Sequence, residues 1–209
     1  MTVEHDPAPE RKLLLERMLF FSDAVFAIVL TLLALGLPRL PGGTDDAHLI
    51  SRLSAMSEPL IAFVVSFGLV GLFWLVHVIT LRALAAFDWL VAAANVVFLL
   101  TVTLTPFGME LVGRFGRYGE AWRLYCTLII AISLALCALI AVGHRDEARI
   151  LLPVSHGRLW RRLSKATTLG VAFAVGLALS FAGLPVLASY CWVLAPVLLL
   201  AVTLAESRS

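Results

Sequence analysis

The sequence predicts an all-α integral membrane protein with six transmembrane helices, and three observations support that prediction. Hydrophobic residues make up 61% of the 209 positions, and charged residues only 14%. Mean hydropathy is +0.97, whereas a soluble domain uses about a quarter charged residues to cover its surface. Apolar runs of about 20 residues recur along the chain, which is the length that crosses a bilayer as a helix. Lipid is therefore part of the solvent in which this chain folds.

The predicted spans follow from these runs and from the polar or Gly/Pro breaks between them. They cover about residues 18–37, 59–81, 87–112, 121–142, 166–182 and 186–205, within a single domain over residues 1–209. The first run ends at the Pro- and Gly-rich segment 38–43. Gly183 and Pro185 mark the short break before the sixth span. Pro106 lacks an N–H to donate, so we expect it to kink or end the third helix.

Orientation follows from the distribution of the 16 lysines and arginines. With the N-terminus inside, most of them fall in cytoplasmic segments, as the positive-inside rule requires. Both termini are then cytoplasmic, which needs an even number of spans. Asp23 lies inside the first apolar run and no small-x-small site follows. We therefore expect this helix to stay in the mature protein, unlike a cleaved signal peptide.

Several function classes are disfavoured by composition and spacing. A net charge of +2 is too small to indicate nucleic-acid binding. The three cysteines, Cys126, Cys137 and Cys191, lie in apolar runs without metal-ligand spacing and are typical of buried small hydrophobes. His77 has Leu81 four residues later, so it lacks the paired histidine of a metalloenzyme helix. We expect no enzyme activity, cofactor or resident metal.

Polar side chains inside the apolar spans are the informative positions, because burying them in lipid without partners costs several kcal/mol. Ser22 and Asp23 fall in the first span, His77 in the second and Asn95 in the third. These four side chains can satisfy one another if the three helices pack together. Such a cluster either holds helices together or forms a path for protons or ions.

The first helix carries a candidate pore face. Ile28, Thr31, Leu32 and Leu35 follow the i, i+3, i+4, i+7 spacing and share one side. Around an axis, several copies of this face would give apolar rings that gate by dewetting and a hydroxyl layer that partly replaces ion hydration. The spacing alone also fits a face that meets lipid or neighbouring helices.

Linear motifs in the first half of the chain resemble those of the transmembrane-protein-175 family, the lysosomal potassium channels of animals and their bacterial relatives. The matching residues are Arg17-x-x-x-Phe21-Ser22-Asp23, Val25-Phe26-Ala27-Ile28, Thr31-Leu32-Leu33, Ser66-Phe67, Phe73-Trp74-x-x-His77, Asp88, Asn95 and Thr105-Pro106-Phe107. The arginine with Phe-Ser-Asp at this spacing is the specific part. The last three spans match the family in hydropathy and number alone.

The resemblance implies a six-helix subunit that assembles as a homotetramer in the plasma membrane of a bacterium and conducts potassium and other monovalent cations passively. It implies pore constrictions at Ile28, Leu32 and Leu35, with Thr31 as the layer linked to potassium preference. A bracing network for the pore helix is implied at Arg17, Phe21, Ser22, Asp23, Trp74, His77 and Asn95. Potassium is then the permeant ion, and lipid and further copies of the chain are the partners.

Departures from the family pattern qualify this expectation. Ala24 replaces a glycine that often follows the motif, Val78 stands where relatives often have a second histidine, and Gly36 replaces an acidic residue near the outer mouth. The chain contains no Gly-Tyr-Gly, so we expect moderate potassium selectivity. An ion-coupled secondary transporter is the alternative, although such transporters usually contain inverted repeats and helices that are broken at the bilayer midplane. A membrane enzyme or a scaffold is a further alternative.

Overall fold

The computed structural model describes residues 8–37, 56–115, 119–145 and 156–184, together with positions 190 and 197. The regular elements in these ranges are all α-helices, which confirms the predicted all-helical class. They are α1 (Ala8–Leu35), α2 (Ser57–Leu81), α3 (Trp89–Thr103), α4 (Thr105–Phe115), α5 (Gly119–Gly143) and α6 (His156–Phe181).

Four helical segments are long and apolar enough to cross a bilayer: Glu10–Leu35, Pro59–Leu81, Trp89–Phe115 and Gly119–Gly143. They coincide with the first four predicted spans, so the chain is a multi-pass membrane protein. The fifth predicted span lies within α6, whose apolar part, Ala166–Phe181, is shorter. α6 begins at His156, ten residues before the start of the fifth predicted span. The sixth predicted span, 186–205, lies outside the described ranges apart from positions 190 and 197.

The third apolar segment is divided into α3 and α4 by Leu104, two residues before Pro106. Proline cannot donate a hydrogen bond to the carbonyl four residues earlier, which here belongs to Val102. The Thr105 hydroxyl donates a 2.7 Å hydrogen bond to that carbonyl instead. A threonine beside the proline thus satisfies the backbone group that the proline leaves free, as the bilayer requires.

The core of the bundle lies around α5, which packs against α2, α3, α4 and α6. Its inward residues are fully buried: Tyr125, Cys126, Ile129, Ile132, Leu136, Leu139 and Ile140. Two glycines allow close helix approach to it. A Cβ at Gly108 would lie 2.9 Å from a Leu128 methyl, and one at Gly170 would lie 2.9 Å from the Ser133 Cβ. Small residues let backbones approach at such crossings.

α1 lies at the side of this bundle, against α2, α3 and α4. One face is buried, through Leu15, Met18, Ser22, Phe26, Val29 and Leu33. At its end, a Cβ built on Gly36 would lie 3.7 Å from the Met109 methyl of α4. The opposite face of α1 is exposed along its whole length. Within the described part of the chain, α1 therefore packs against other helices on one side.

Candidate functional site

A chain of hydrogen bonds joins α1, α2 and α3 through three fully buried polar side chains. The Asn95 amide nitrogen donates to the Ser22 hydroxyl at 2.9 Å. The Asn95 amide oxygen lies 2.7 Å from Nε2 of His77, and since an amide oxygen only accepts, Nε2 is the donor. Ser22 in turn donates to the Met18 carbonyl at 2.8 Å. Asn95 is the central residue, because it binds a partner on each of the two other helices.

The direction of these hydrogen bonds bears on whether the cluster braces helices or carries protons. Each donor points the same way, from His77 through Asn95 to Ser22, and the last bond ends on a backbone carbonyl. A side-chain amide holds its protons and has no titratable site to relay them. The His77 ring is enclosed by Phe98, stacked at 5.2 Å between centroids, and by Phe26 at 5.5 Å. This arrangement favours a brace.

A second anchor lies one residue further along α1. The Trp74 indole nitrogen donates a 2.8 Å hydrogen bond to the Asp23 carboxylate, which is partly buried. A hydrogen bond to an ionised acceptor is stronger than one between neutral groups. Ser22 thus fastens α1 to α3, and Asp23 fastens it to α2. Two anchors in consecutive residues, directed at different helices, fix the rotation of α1 about its axis.

The predicted pore residues lie on the face of α1 turned away from these anchors. Ile28, Leu32 and Leu35 are 58%, 43% and 68% exposed in the single chain. Thr31 is exposed among them, and its hydroxyl donates to the Ile28 carbonyl at 2.8 Å. That bond uses the hydroxyl proton and leaves the oxygen lone pairs for another partner. The stripe is therefore apolar apart from the Thr31 hydroxyl, whose oxygen is oriented as an acceptor.

The structure brings together five of the predicted bracing residues: Ser22, Asp23, Trp74, His77 and Asn95. It places Arg17 and Phe21 on the exposed side of α1, away from this cluster. Among the described residues, no hydrogen bond joins Arg17 to the network. Neighbouring residues of a helix differ by about 100° in direction. Residues that are close in the linear motif therefore lie on different sides of α1.

Two further polar contacts were missed by sequence reasoning. Asp88 caps α3 by accepting from the backbone of Leu90 and Val91, and it also binds Arg145 at 2.9 and 3.0 Å. The hydroxyls of Ser66 and Tyr125 meet at 3.1 Å between α2 and α5. An acidic residue just before an apolar run is a recognisable cap signal. No local pattern, however, indicates a partner 57 residues away.

Comparison with known proteins places this arrangement in a family. Residues 17–106, which contain the whole hydrogen-bonded cluster, match the family model of the endosomal/lysosomal potassium channel TMEM175. A potassium channel of Streptomyces collinus is 30% identical over 166 residues, covering 76% of this chain and 79% of that protein. The chain belongs to the TMEM175 family.

Solved structures agree with the fold expected of TMEM175 proteins. A TMEM175 homologue from Chamaesiphon minutus, described as a lysosomal potassium-selective channel homologue, superposes with a TM-score of 0.73 at 24% identity, over 87% of this chain and 94% of that one. A variant of the potassium channel MtTMEM175, crystallised with a nanobody fusion, gives a TM-score of 0.62 at 16% identity, over 92% and 94%.

The human endosomal/lysosomal proton channel TMEM175 is 23% identical to this chain over 167 residues, or 80% of the chain. The chain spans about a third of the length of the human protein, because the aligned region covers 33% of it. The relatives named in these comparisons are channels, and none is an enzyme.

Proposed function

We propose that this TMEM175 protein is a potassium-selective cation channel whose pore is lined by α1 of each subunit. The observation that supports it most directly is the two-sided character of α1. Its polar anchors, Ser22 and Asp23, are engaged within the subunit. Its opposite face carries Ile28, Leu32 and Leu35 exposed in the single chain. Several copies around an axis would turn that stripe into the wall of a pore.

Conduction through such a wall would be passive. Rings of Ile28, Leu32 and Leu35 would form the constriction, where apolar side chains exclude water unless the pore is wide enough to stay hydrated. Thr31 lies between two of these rings and has acceptor lone pairs to offer, because its proton is bound to the Ile28 carbonyl. Acceptor oxygens replace part of the hydration shell of a cation, and this layer is the proposed source of potassium preference.

The assembly proposed is a homotetramer in the plasma membrane of a bacterium. A single subunit cannot enclose a pore with one face of one helix, so further copies are needed. Four copies are what the resemblance to single-unit, six-helix relatives implies. We place both termini in the cytoplasm and count six spans, with α1 running outward. No resident metal or cofactor is part of this mechanism, and potassium enters only as the permeant ion.

Bi-ionic recording tests the proposal. The purified protein is placed in a planar bilayer with potassium on one side and sodium on the other. We expect the current to reverse toward the potassium equilibrium potential, and Leu32→Ala and Leu35→Ala to raise the conductance by widening the constriction. Leu134→Ala is the matched control, because Leu134 is an exposed leucine of α5, whereas α1 packs mainly against α2, α3 and α4 in the described ranges.

Two results would contradict the channel. One is the absence of current in repeated reconstitutions in which the same protein drives ion-coupled solute uptake into liposomes, which would indicate the transporter. The other is an equal change of conductance in Leu32→Ala and Leu134→Ala, which would show that α1 does not line the pore.

A further inference from the structure

The exposed face of α1 continues toward the cytoplasm well beyond the constriction residues. Arg17 and Leu35 are separated by eighteen positions, which is five turns at about 3.6 residues per turn, so they project in the same direction. Phe21, Ala24, Ile28 and Thr31 fall between them within about 40° of that direction. All six are exposed in the single chain.

Three contacts hold this direction fixed along the cytoplasmic half of α1. The backbone N–H of Phe87 donates to the Arg11 carbonyl at 3.2 Å. Ser22 and Asp23 are bound to Asn95 and Trp74. Leu15 and Met18, on either side of Arg17, are buried. The helix is continuous from Ala8 to Leu35, so whatever direction Ile28 takes in the assembly is also taken by Phe21 and Arg17.

We infer that Phe21 and Arg17 line the cytoplasmic entrance of the pore, with Phe21 forming an aromatic ring and Arg17 a cationic ring. This inference rests on the proposed α1-lined pore. At about 1.5 Å rise per residue, Phe21 lies about 10 Å and Arg17 about 16 Å on the cytoplasmic side of Ile28. The linear motif therefore has two functions. Ser22 and Asp23 anchor the helix, and Arg17 and Phe21 face the ion path.

The Arg17 ring acts on ions before they reach the constriction. Positive charges around a narrow mouth lower the local concentration of cations. Potassium entering from the cytoplasm meets this charge at the mouth, whereas potassium entering from outside meets the constriction first. Arg17 therefore limits outward current more than inward current, and it does so most at low ionic strength, where charges are poorly screened.

The Phe21 ring offers a binding surface for organic cations that enter from the same side. Aromatic faces attract quaternary ammonium groups, with an apolar contribution from alkyl chains. A tetra-alkylammonium ion with long chains is too large for the constriction, so it stops beside Phe21. The ligands of the Phe21 site are therefore hydrophobic quaternary ammonium ions, and a bound ion blocks outward current.

The experiment records single channels with cytoplasmic potassium at about 0.01 M and about 1 M, where the Debye length is about 30 Å and about 3 Å. We expect Arg17→Gln to raise outward conductance about twofold at the lower concentration and by little at the higher, and Arg17→Lys to behave as wild type. Arg82→Gln is the control, since Arg82 is an exposed arginine at the cytoplasmic end of α2. Equal effects of Arg17→Gln and Arg82→Gln would overturn the cationic ring.

A second measurement follows block by cytoplasmic tetrapentylammonium. We expect Phe21→Ala to weaken block about tenfold, in line with the loss of a cation–aromatic contact, and Phe107→Ala, an exposed phenylalanine of α4, to leave it unchanged. Unaltered block in Phe21→Ala would overturn the aromatic ring. Leu32→Ala is recorded in the same bilayers. If Leu32→Ala changes conductance and the Arg17 and Phe21 variants do not, the entrance inference fails alone. If none of the three has an effect, the α1-lined pore fails with it.

Discussion

The indole nitrogen of Trp74 and the carboxylate of Asp23 lie 2.8 Å apart across the contact between α1 and α2. This bond gives a partly buried acidic group in a membrane helix a directed donor. It acts at the same level as the Ser22–Asn95 bond to α3. The two bonds together orient the helix that carries the proposed pore face, and they can be removed one at a time.

Trp74→Phe should destabilise the protein by about 1–2 kcal/mol, since it leaves a partly buried carboxylate without its donor while preserving most of the aromatic volume. Unfolding in detergent micelles, followed by far-UV circular dichroism, measures the change. Trp89→Phe is the control, because Trp89 is 79% exposed. A loss of stability in Trp89→Phe as large as in Trp74→Phe would show that the hydrogen bond is not responsible.

Asn95→Ala should cost more stability than Ser22→Ala. The asparagine binds on two sides, so its removal leaves the His77 Nε2–H without an acceptor and takes away the donor to the Ser22 oxygen, which keeps its bond to the Met18 carbonyl. Removing the serine hydroxyl leaves one amide hydrogen unbound. Hydrogen-bonded polar pairs in membrane bundles contribute about 0.6 kcal/mol on average. We therefore expect the free energies of unfolding of the two variants to differ by roughly 1 kcal/mol. The double variant should fall well short of the sum of the single effects. Full additivity would contradict a shared network.

Asp88 combines a helix cap with an ion pair, and two substitutions separate these roles. Asp88→Asn keeps a good capping side chain but loses the charge that binds Arg145, so it should match Arg145→Gln and cost well under 1 kcal/mol. The cost is small because the Arg145 side chain is 38% exposed and screened by solvent. Asp88→Ala also loses the cap and should cost about 1 kcal/mol more. Unfolding midpoints at low and high salt distinguish them, since only the ion pair is salt-sensitive.

Gly170→Ala should weaken the α5–α6 contact, because the new methyl would lie 2.9 Å from the Ser133 Cβ and the helices would have to separate. We expect a loss of about 1–3 kcal/mol from this overpacking. Gly71→Ala is the matched control: nothing lies within 4 Å of a Cβ built there, and alanine favours the helix by up to about 1 kcal/mol. Opposite signs for the two variants in the same unfolding assay would confirm the close contact.

Thr31→Val should lower the permeability ratio of potassium to sodium, whereas Thr31→Ser should retain it. Valine has nearly the shape of threonine but offers no oxygen to an ion, and serine keeps the hydroxyl that Thr31 directs to the Ile28 carbonyl. The shift in bi-ionic reversal potential measures the change. An unchanged ratio in Thr31→Val, with conductance intact, would place selectivity at another layer.

The helical class and the positions of the long apolar helices could be predicted from sequence, because lipid requires long apolar runs and few other arrangements satisfy the backbone. The association of Ser22, His77 and Asn95 could also be predicted, since polar groups in lipid need partners. Pro106 indicated the break in the third segment. The spans and the break follow from local composition, whereas the cluster also requires that the three helices pack together.

The remaining features depend on contacts that local composition does not encode. α6 begins at His156, before the apolar run. Its first residues are polar, so hydropathy does not identify them as part of the helix. The Asp88–Arg145 pair joins residues 57 positions apart. Phe21 and Ser22 are neighbours in the motif, but the helix separates them by about 100°, so one is 57% exposed and the other is buried.

The division of the third segment at Leu104 gives the two ends of α1 supports of different stiffness. The N-terminal half of α1 is held by directional hydrogen bonds from α2 and α3. The C-terminal end of α1 packs against α4, a separate short helix, where Gly36 faces the flexible side chain of Met109. Thioether contacts adapt readily to small displacements. If α1 lines the pore as proposed, the Leu35 ring lies at the more compliant end of that helix, and the outer aperture can change its width while the inner end stays in place.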